Sequence, residues 1–430
     1  MRTPGLNCWI GQPTLTDSSP HWREVLANRR MVICIFTGLA SGMPLYVLLS
    51  LVPAWLTQAG VSLKTIGLFS LVGLPYVWKF LWAPLMDRWV PPFLGRRRGW
   101  MLMTQIGLLF SIGSLGMFEP GQATPVIVWL AGTVAFFSAS QDVALDAFRR
   151  EILSDAELGI GNSIHVQAYR LSVLVPGSLS LVLADLLPWS TVFWITSAFM
   201  LVGIAMTLVV REPDSTIPPP AGMRQTIMEP FQEYLGRRGW SSLLLILAFM
   251  FLYKLGDNMA TALSTPFYLD LGFSMTQIGL VAKQAALWPS IIGGLLGGLM
   301  MIKTGINRAL WLFGVVQMAS ILGFAVLASQ GPLLWLLALV IAFEYLGVGL
   351  GTAAFTAFIL RETSRTFAAS QIALLTALAA LPRTFANAST GFIVESLGWV
   401  DFFLLCTLLA IPGMCLLIWV APWSDGAKEH

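Results

Sequence analysis

Apolar residues fill most of the chain in runs that short polar stretches separate. Each run is about 20 residues long, which is the length that an α-helix needs to cross the hydrocarbon core of a bilayer. The runs lack the short alternating segments of a membrane barrel, so they predict helices. We place twelve spans, at residues 31–57, 63–86, 100–118, 124–148, 162–187, 190–210, 241–269, 275–302, 309–329, 333–360, 368–395 and 400–420.

A polar segment with three consecutive prolines, Pro218 to Pro220, divides the spans into two sets of six. We therefore predict an all-α integral membrane fold with twelve transmembrane helices in two pseudo-symmetric six-helix bundles. The predicted parts are an N-terminal tail at 1–30, a bundle at 31–210, a linker at 211–240, a second bundle at 241–422 and a C-terminal tail at 423–430.

Two short motifs recur in the two sets of spans. Lys64-Thr-Ile-Gly67 opens the second span and Thr276-Gln-Ile-Gly279 opens the eighth. Both the fourth and the tenth span close with Ala-Phe, then Arg and Glu, ending at Glu151 and Glu362 respectively. Internal symmetry of this kind is typical of secondary transporters, whose solute path lies between the two repeats.

Composition agrees with a membrane protein. Hydrophobic residues make up 56% of the chain and charged residues 11%, whereas soluble proteins carry about 25% charged residues. The net charge of +3 does not indicate nucleic acid as a partner, and the expected surroundings are membrane lipid. The four cysteines show neither metal-type nor disulfide spacing, and we expect no metal site.

Charge bias predicts the orientation. Of 25 Lys and Arg residues, only Lys64 falls in the loops that follow odd-numbered spans, and five fall inside spans. The others lie in the tails and in the loops after even-numbered spans, and such positive residues accumulate on the cytoplasmic side. Both termini are therefore predicted to be cytoplasmic. The polar stretch before Arg30 is unlike a signal peptide, so we expect the first span to direct insertion.

Carboxylates inside spans are the candidates for proton coupling, because a charge at membrane depth costs at least about 2.5–3.5 kcal/mol. Asp142 and Asp146 lie one helical turn apart, on a face that Ser138 and Arg149 extend. Burial could bring carboxyl groups of this kind to titrate near neutral pH. The candidate proton-coupling residues are Asp142, Asp146, Asp257 and Glu344.

A structural alternative stays open for the same charges. Lys79 and Arg170 fall at about the depth of Asp142, roughly 10–12 Å from the cytoplasmic loops. Lys79 with Asp142, and Glu344 with Arg383 or Lys254, could form permanent salt bridges within a bundle.

Candidate solute contacts are cationic, amide or aromatic side chains within spans, together with glycines that could expose the backbone. They are Gly38, Gly42, Tyr46, Trp78, Lys79, Gln141, Tyr169, Arg170, Lys254, Asn258, Gln284, Trp288 and Arg383. The alternative for Gly38 and Gly42 is a close helix crossing. Residues at the ends of the second and fourth spans are candidates for gating: Asp87, Arg88, Arg149 and Glu151.

Prolines are expected to interrupt the first, second, fifth, eighth and eleventh spans, at Pro44, Pro75, Pro176, Pro289 and Pro382. No nucleophile elbow, metalloprotease motif or phosphate loop occurs in the sequence. These observations disfavour an enzyme or a nucleotide-driven pump. We expect no cofactor, and the proton gradient is the expected source of energy.

Several stretches resemble a known family. Asp87-Arg88 followed by Gly95-Arg-Arg-Arg98 is similar to the loop signature of the major facilitator superfamily. Gly38 to Pro44, Lys64 to Gly73, Tyr76 to Arg88 and Ser138 to Asp142 resemble the AmpG muropeptide permease branch.

The resemblance implies import of anhydromuropeptides, which are GlcNAc-anhydroMurNAc with or without a stem peptide. The expected route crosses the inner membrane of a Gram-negative cell by proton symport, for peptidoglycan recycling and, indirectly, β-lactamase induction and antibiotic resistance. We expect a monomer. The alternatives are a permease for another anionic solute, such as an acyl-CoA or a drug, or a membrane enzyme or scaffold that transports nothing.

Overall fold

The computed structural model describes residues 28–154, 157–211, 228–363 and 368–423. The predictions for the two tails and for most of the linker lie outside these residues. The described residues contain no β-strand; besides one short helix in the linker, they form twelve helical segments, which we label α1 to α12. The all-helical class is therefore confirmed.

The segments have the following bounds. In the first part of the chain, α1 comprises Arg29–Tyr46, Val47–Leu51 and Val52–Gln58; α2 comprises Leu63–Leu68, Phe69–Gly73, Leu74–Trp78, Lys79–Leu81 and Ala83–Arg88; α3 is Arg96–Leu115; α4 is Pro120–Ile152; α5 comprises Leu158–Leu171, Ser172–Leu174, Val175–Leu179 and Ser180–Ala184; α6 comprises Trp189–Ala198 and Met200–Val209.

In the second part, the helix Glu229–Ala262 is broken at Gly239, which has a φ of +76°, so a short helix covers 229–238 and α7 covers 240–262 and Ser264–Asp270. The short helix lies within the segment predicted as the linker, 211–240. The segment α8 begins with Met275–Gln277 and Ile278–Ala282. The helix Lys283–Gln330 is broken at Gly305, which has a φ of +72°, so α8 continues over 283–304 and α9 covers 306–330. The last segments are α10, Leu334–Glu362; α11, Ala368–Leu397; and α12, Trp399–Val420.

Eight stretches of the described residues are long and apolar enough to cross a membrane, and one of them, Met275–Gln330, contains both α8 and α9. The segments α2, α3 and α11 are not among the eight. The number of twelve membrane spans therefore remains a prediction, although a helical segment lies at each predicted position.

The prolines act differently from one another. Pro176 lies within a π-helical turn, Val175–Leu179, and Pro44 shortly precedes another, Val47–Leu51. Pro289 and Pro382 lie inside continuous α-helix, so the interruption predicted at these two residues is wrong. The eighth segment is instead irregular earlier, in the π-helical turn Ile278–Ala282. Neighbouring helices can satisfy a carbonyl that a proline leaves free, and then the helix continues.

Helices pack mainly within the two parts of the chain, which we call the amino half, 28–211, and the carboxy half, 228–423. In the amino half α1 packs on α5 and α3 packs on α4 and α6; in the carboxy half α8 and α9 pack on α10, and α7 packs on α11 and α12. Between the halves α2 contacts α11, α5 contacts α8, and the end of α1 contacts α7. We call the boundary between the halves the seam.

The two ends of the molecule have different apolar cores. We call the end that carries Asn28 and Trp423 the terminal end, and the opposite one the far end. One core at the far end contains residues of both halves, including Leu51, Trp55, Phe193, Phe267 and Phe403. At the terminal end the halves have separate cores, one around Phe148 and one around Phe249 and Phe358.

Candidate functional site

Asp142 is the centre of a polar cluster in the amino half. Its Oδ1 accepts a hydrogen bond of 2.5 Å from the Ser41 hydroxyl of α1, and its Oδ2 lies 4.0 Å from Nζ of Lys79 on α2. The Asp142 side chain is mostly buried, whereas that of Lys79 is about one-third exposed. Three helices thus bring a carboxylate, a hydroxyl and a loosely placed cation together.

Gln141 precedes Asp142 and is 0% exposed. Neither its amide nitrogen nor its amide oxygen has a hydrogen-bond partner among the described residues. Native proteins rarely leave buried polar atoms unpaired, so a water, an ion or a bound solute is expected to satisfy this amide. This face of α4 therefore remains a candidate for solute contact.

Gly38 and Gly42 lie where α1 crosses α5. A Cβ at either residue would meet the backbone of α5, at His165 and Tyr169. The geometry favours the helix-crossing alternative for both glycines. Tyr46 continues the same contact, because its ring lies 5.9 Å from that of Tyr169.

Arg170 reaches across the seam. Its Nη1 donates a hydrogen bond of 3.3 Å to the carbonyl oxygen of Ser290 on α8. Near this contact, Nε1 of Trp288 donates to Oε1 of Gln284 at 3.0 Å. Both Trp288 and the predicted contact Trp78 on α2 are exposed indoles.

The carboxy half holds a second, more deeply buried cluster. Nζ of Lys254 lies 3.3 Å from Oδ2 of Asp257, and the hydroxyl of Ser320 donates to Oε2 of Glu344 at 2.5 Å. Asp257 is 7% exposed and Glu344 is 0% exposed. The predicted pairs of Glu344 with Arg383 or Lys254 are not seen, since Lys254 pairs with Asp257.

Arg383 and Lys254 line a small cavity of about 120 Å³ between α7, α10 and α11. Asn258 lies one turn from Lys254, and its amide nitrogen donates to the Lys254 carbonyl oxygen at 2.6 Å. Asn258 thus uses part of its amide on its own helix. Two cations that sequence analysis proposed as solute contacts therefore share one cavity.

The gating candidates lie at the terminal end. Glu151 closes α4 and accepts from Arg97 of α3 at 2.8 Å, and Arg149 pairs with Asp146 at 2.9 Å. Arg88 is exposed. The side chain of Asp87 lies outside the described residues. The pair of Glu151 with Arg97 joins α4 to α3, whereas that of Arg149 with Asp146 lies within α4, so both stay inside the amino half.

Two polar pairs at the far end join the halves, and neither is part of the predicted site. At the start of α2, Lys64 donates to Glu395 of α11 through its backbone N–H at 3.0 Å and its Nζ at 2.9 Å. At the start of α8, Thr276 donates to Asp185 beyond α5 through its backbone N–H at 2.7 Å and its hydroxyl at 2.6 Å. We call these the far-end latches.

The latches occupy equivalent positions in the two halves. Lys64 and Thr276 begin the repeated motifs, and each motif glycine packs against a helix of the other half: Gly67 against Ala388 and Gly391, and Gly279 against Ser178. The repeated motif was the sequence feature that marked the positions of Lys64 and Thr276. It did not indicate which residues accept the hydrogen bonds, because Asp185 and Glu395 stand outside the repeated motifs.

Comparisons with known proteins agree with this arrangement. The family model of the Major Facilitator Superfamily matches residues 34–387. An uncharacterized protein of Haemophilus influenzae is 50% identical over 409 residues, covering 92% of this chain and 95% of that protein. The anhydromuropeptide permease of Escherichia coli K12 is 41% identical over 403 residues, covering 93% of this chain and 81% of the permease.

Among solved structures, a D-xylose–proton symporter superposes with a TM-score of 0.73 at 12% identity, covering 92% of this chain and 98% of that one. This likeness concerns the fold alone. Together with the family match and the 41% identity to a permease, it shows a multi-pass membrane transporter and not an enzyme. The chain belongs to the Major Facilitator Superfamily, in the AmpG family of muropeptide permeases.

Proposed function

We propose that this protein imports anhydromuropeptides, GlcNAc-anhydroMurNAc with or without stem peptide, into the cytoplasm by proton symport. The observation that carries the proposal is the 41% identity to an anhydromuropeptide permease over 93% of the chain. The product would enter peptidoglycan recycling. We further propose that the protein works as a monomer of two six-helix bundles in the inner membrane.

Basic residues in both halves support an anionic solute. Lys79, Arg170, Lys254 and Arg383 come from both halves, and Arg170 already contacts the opposite half. Ammonium and guanidinium groups bind carboxylates through charge-assisted hydrogen bonds. The indoles of Trp78 and Trp288 offer apolar faces on two helices that meet the seam. A polar sugar with carboxylates matches this combination.

Proton coupling is assigned to buried carboxylates. Asp142 is the first candidate. Its partner Lys79 lies at the limit of ion-pair distance, so Lys79 can move away from Asp142 when the solute binds. Asp257 and Glu344 are the second candidates, since the structure leaves one oxygen of each without a hydrogen-bond donor among the described residues. Asp146 is a weaker candidate, as its exposed carboxylate already pairs with Arg149.

Orientation follows from charge. Arginines concentrate at the terminal end, where Arg96, Arg97, Arg149, Arg237 and Arg361 make ion pairs or hydrogen bonds. By the positive-inside rule, this distribution supports a terminal end in the cytoplasm and a far end in the periplasm.

Uptake by membrane vesicles tests the proposal. Right-side-out vesicles that contain the protein should accumulate labelled anhydromuropeptide when the outside is acidic, and should only equilibrate it without a pH gradient. Asp142→Asn should remove the accumulation by the gradient but leave counterflow exchange, because the amide cannot carry the proton. Asp401→Asn, at an exposed aspartate in the first turn of α12, is the matched control.

Several results would contradict the proposal. Absence of uptake by the unaltered chain would exclude the muropeptide, and stronger competition by an acyl-CoA or a drug would indicate another anionic solute. Gradient-driven accumulation by the Asp142→Asn chain at the rate of the unaltered chain would remove Asp142 from proton coupling.

A further inference from the structure

Lys283 of α8 is a buried cation to which no role has been assigned above. It is 9% exposed, and its Nζ donates to the hydroxyl of Ser50 on α1 at 3.2 Å and to that of Thr265 on α7 at 3.1 Å. Its aliphatic stem lies over Gly177 of α5, where a Cβ would come within 3.5 Å of Cδ. The side chain therefore crosses the seam from the carboxy half to the amino half.

Three irregular turns meet around this lysine. Ser50 lies in the π-helical turn Val47–Leu51, Gly177 lies in Val175–Leu179, and Lys283 directly follows Ile278–Ala282. The second of these turns packs against both others. Single π-helical turns are rare and are frequent at functional sites. Because three such turns meet at Lys283, we interpret its surroundings as a functional site. The geometry of three helices is adapted there to hold one side chain.

The partners of Lys283 are unusual for a buried ammonium group. A charge in the interior of a membrane protein is normally paired with an opposite charge. Among the described residues, no carboxylate forms an ion pair with Lys283, and its polar partners are the two hydroxyls. An ammonium group has three N–H donors, so one of them has no acceptor here.

We propose that Lys283, with Ser50 and Thr265, forms a binding site for the carboxylate of the solute at the far-end mouth. In the closed state the hydroxyls of Ser50 and Thr265 accept hydrogen bonds from the ammonium group of Lys283. When the halves separate at the far end, Ser50 moves away with α1, and a carboxylate from the periplasm takes its place. The identity of the solute rests on the proposed function, whereas the existence of an anion site does not.

This site also accounts for the closing of the seam. A carboxylate is a stronger partner for an ammonium group than a hydroxyl is. A solute that enters would therefore satisfy Lys283 while the far end is open. Once the solute leaves toward the cytoplasm, Lys283 regains Ser50 and the seam closes again. Lys283 would thus be a specificity-determining residue at the entrance.

The first arm of the experiment probes the anion site without transport. Ser50→Cys is introduced into a chain whose native cysteines are serines, with Glu395→Gln added to loosen the far end. The labelling rates with a sulfonate-bearing and with a neutral methanethiosulfonate reagent are compared. We expect the ratio of sulfonate to neutral labelling to be about tenfold higher with Lys283 than with Lys283→Met, because an ammonium group attracts the anionic reagent. Lys303→Met, exposed on the same helix, is the control and should leave the ratio unchanged.

The second arm measures specificity. Uptake of GlcNAc-anhydroMurNAc is compared with uptake of its carboxamide, which has the same shape without the charge. Lys283→Met should raise KM for the carboxylate about tenfold and that for the carboxamide less than twofold, while Lys283→Arg should retain most of the preference. Membrane levels and thermal unfolding of each variant identify chains that fail to fold.

The outcomes separate the two proposals. Equal labelling ratios with and without Lys283 overturn the anion site. Equal losses for carboxylate and carboxamide overturn its role in specificity and leave Lys283 a structural clamp. If the unaltered chain transports neither compound, the proposed function fails, whereas the labelling arm still decides whether Lys283 binds anions.

Discussion

The far end and the terminal end of the molecule use similar polar pairs for different connections. At the far end the pairs join one half to the other, through Lys64 with Glu395 and Thr276 with Asp185. At the terminal end the observed ion pairs stay within a half: Glu151 pairs with Arg97, and Glu362 pairs with Arg238 at 2.9 Å. Glu151 and Glu362 are themselves equivalent in the repeat.

The apolar cores follow the same division, since one core spans both halves at the far end and separate cores form at the terminal end. The comparison teaches that polar pairs and apolar cores connect helices within each half at the terminal end, and connect the two halves to each other at the far end. A structure with these connections is closed at the far end. Rocking of the halves would break the latches without breaking the terminal clusters, which is the behaviour that alternating access requires.

The largest change is expected when both latches are removed. In the Asp185→Asn, Glu395→Gln double variant, each carboxylate loses its charge, and the N–H groups at the starts of α2 and α8 lose an anionic acceptor. We expect far-end cysteine labelling at Ser50→Cys to rise roughly tenfold and solute uptake to fall. Asp270→Asn, at an acceptor for Trp399 within the carboxy half, is the control. Unchanged labelling of the double variant would show that the latches do not hold the far end closed.

A smaller opening is expected from a methyl group at the seam. A Cβ at Gly67 would lie 2.9 Å from the backbone nitrogen of Gly391, so Gly67→Ala forces α2 away from α11. Overpacking of this kind costs about 1–3 kcal/mol. Gly73→Ala on the same helix is the matched control, because a Cβ there meets nothing within 4 Å. Equal labelling of the two variants would contradict a tight seam at Gly67.

Variants of the terminal clusters should affect stability and not opening. In Glu151→Gln the uncharged side chain leaves Arg96 and Arg97 without their carboxylate, and we expect a loss of about 1–2 kcal/mol in stability. Thermal unfolding in detergent measures this loss. Far-end labelling should stay within twofold of the unaltered chain. A rise comparable to that of the latch variants would mean that the two ends are not independent.

The smallest effect is expected at Glu157, in the loop before α5. Hydrogen bonds from the Ser154 backbone N–H, from its hydroxyl and from Arg30 hold the pKa of Glu157 below its usual range. A lowered carboxyl pKa stabilises the folded chain above the unfolded pKa of about 4.3, and this contribution disappears as the pH falls through the folded value. Glu157→Gln should therefore lose less than about 1 kcal/mol at pH 7 and nothing in acid, with uptake unchanged. A large loss of uptake would place this loop in the transport cycle.

The sequence predicted the helical positions well, because a run of apolar residues must be helical to satisfy its backbone in a membrane. The sixth predicted span, 190–210, corresponds to Trp189–Val209, and the tenth, 333–360, to Leu334–Glu362. The irregular turns were harder to predict. Proline marks two of the π-helical turns, but Ile278–Ala282 contains none, and two prolines sit in regular helix. Packing against neighbouring helices decides where a turn widens.

Partners of the buried charges could be predicted only by depth. The depth of each residue along its helix correctly predicted that Lys79 lies near Asp142. It paired Glu344 with the wrong residues, because depth gives no position around the helix axis. The observed partner of Glu344 is Ser320. A serine cannot be predicted as a partner when only charged residues are compared by depth. Lys283 lies inside the predicted span 275–302, but its contacts with three neighbouring helices could not be predicted from the sequence.

Distances between the halves test the central claim most directly. Spin-label pairs at Ala59 with Ser396 report on the far end, and pairs at Val90 with Leu360 report on the terminal end; all four residues are exposed. Double electron–electron resonance is recorded with and without anhydromuropeptide at acidic pH. We predict that the far-end distance lengthens while the terminal-end distance shortens. Two distances that stay constant, or that change in the same direction in a chain that still transports, would contradict the account.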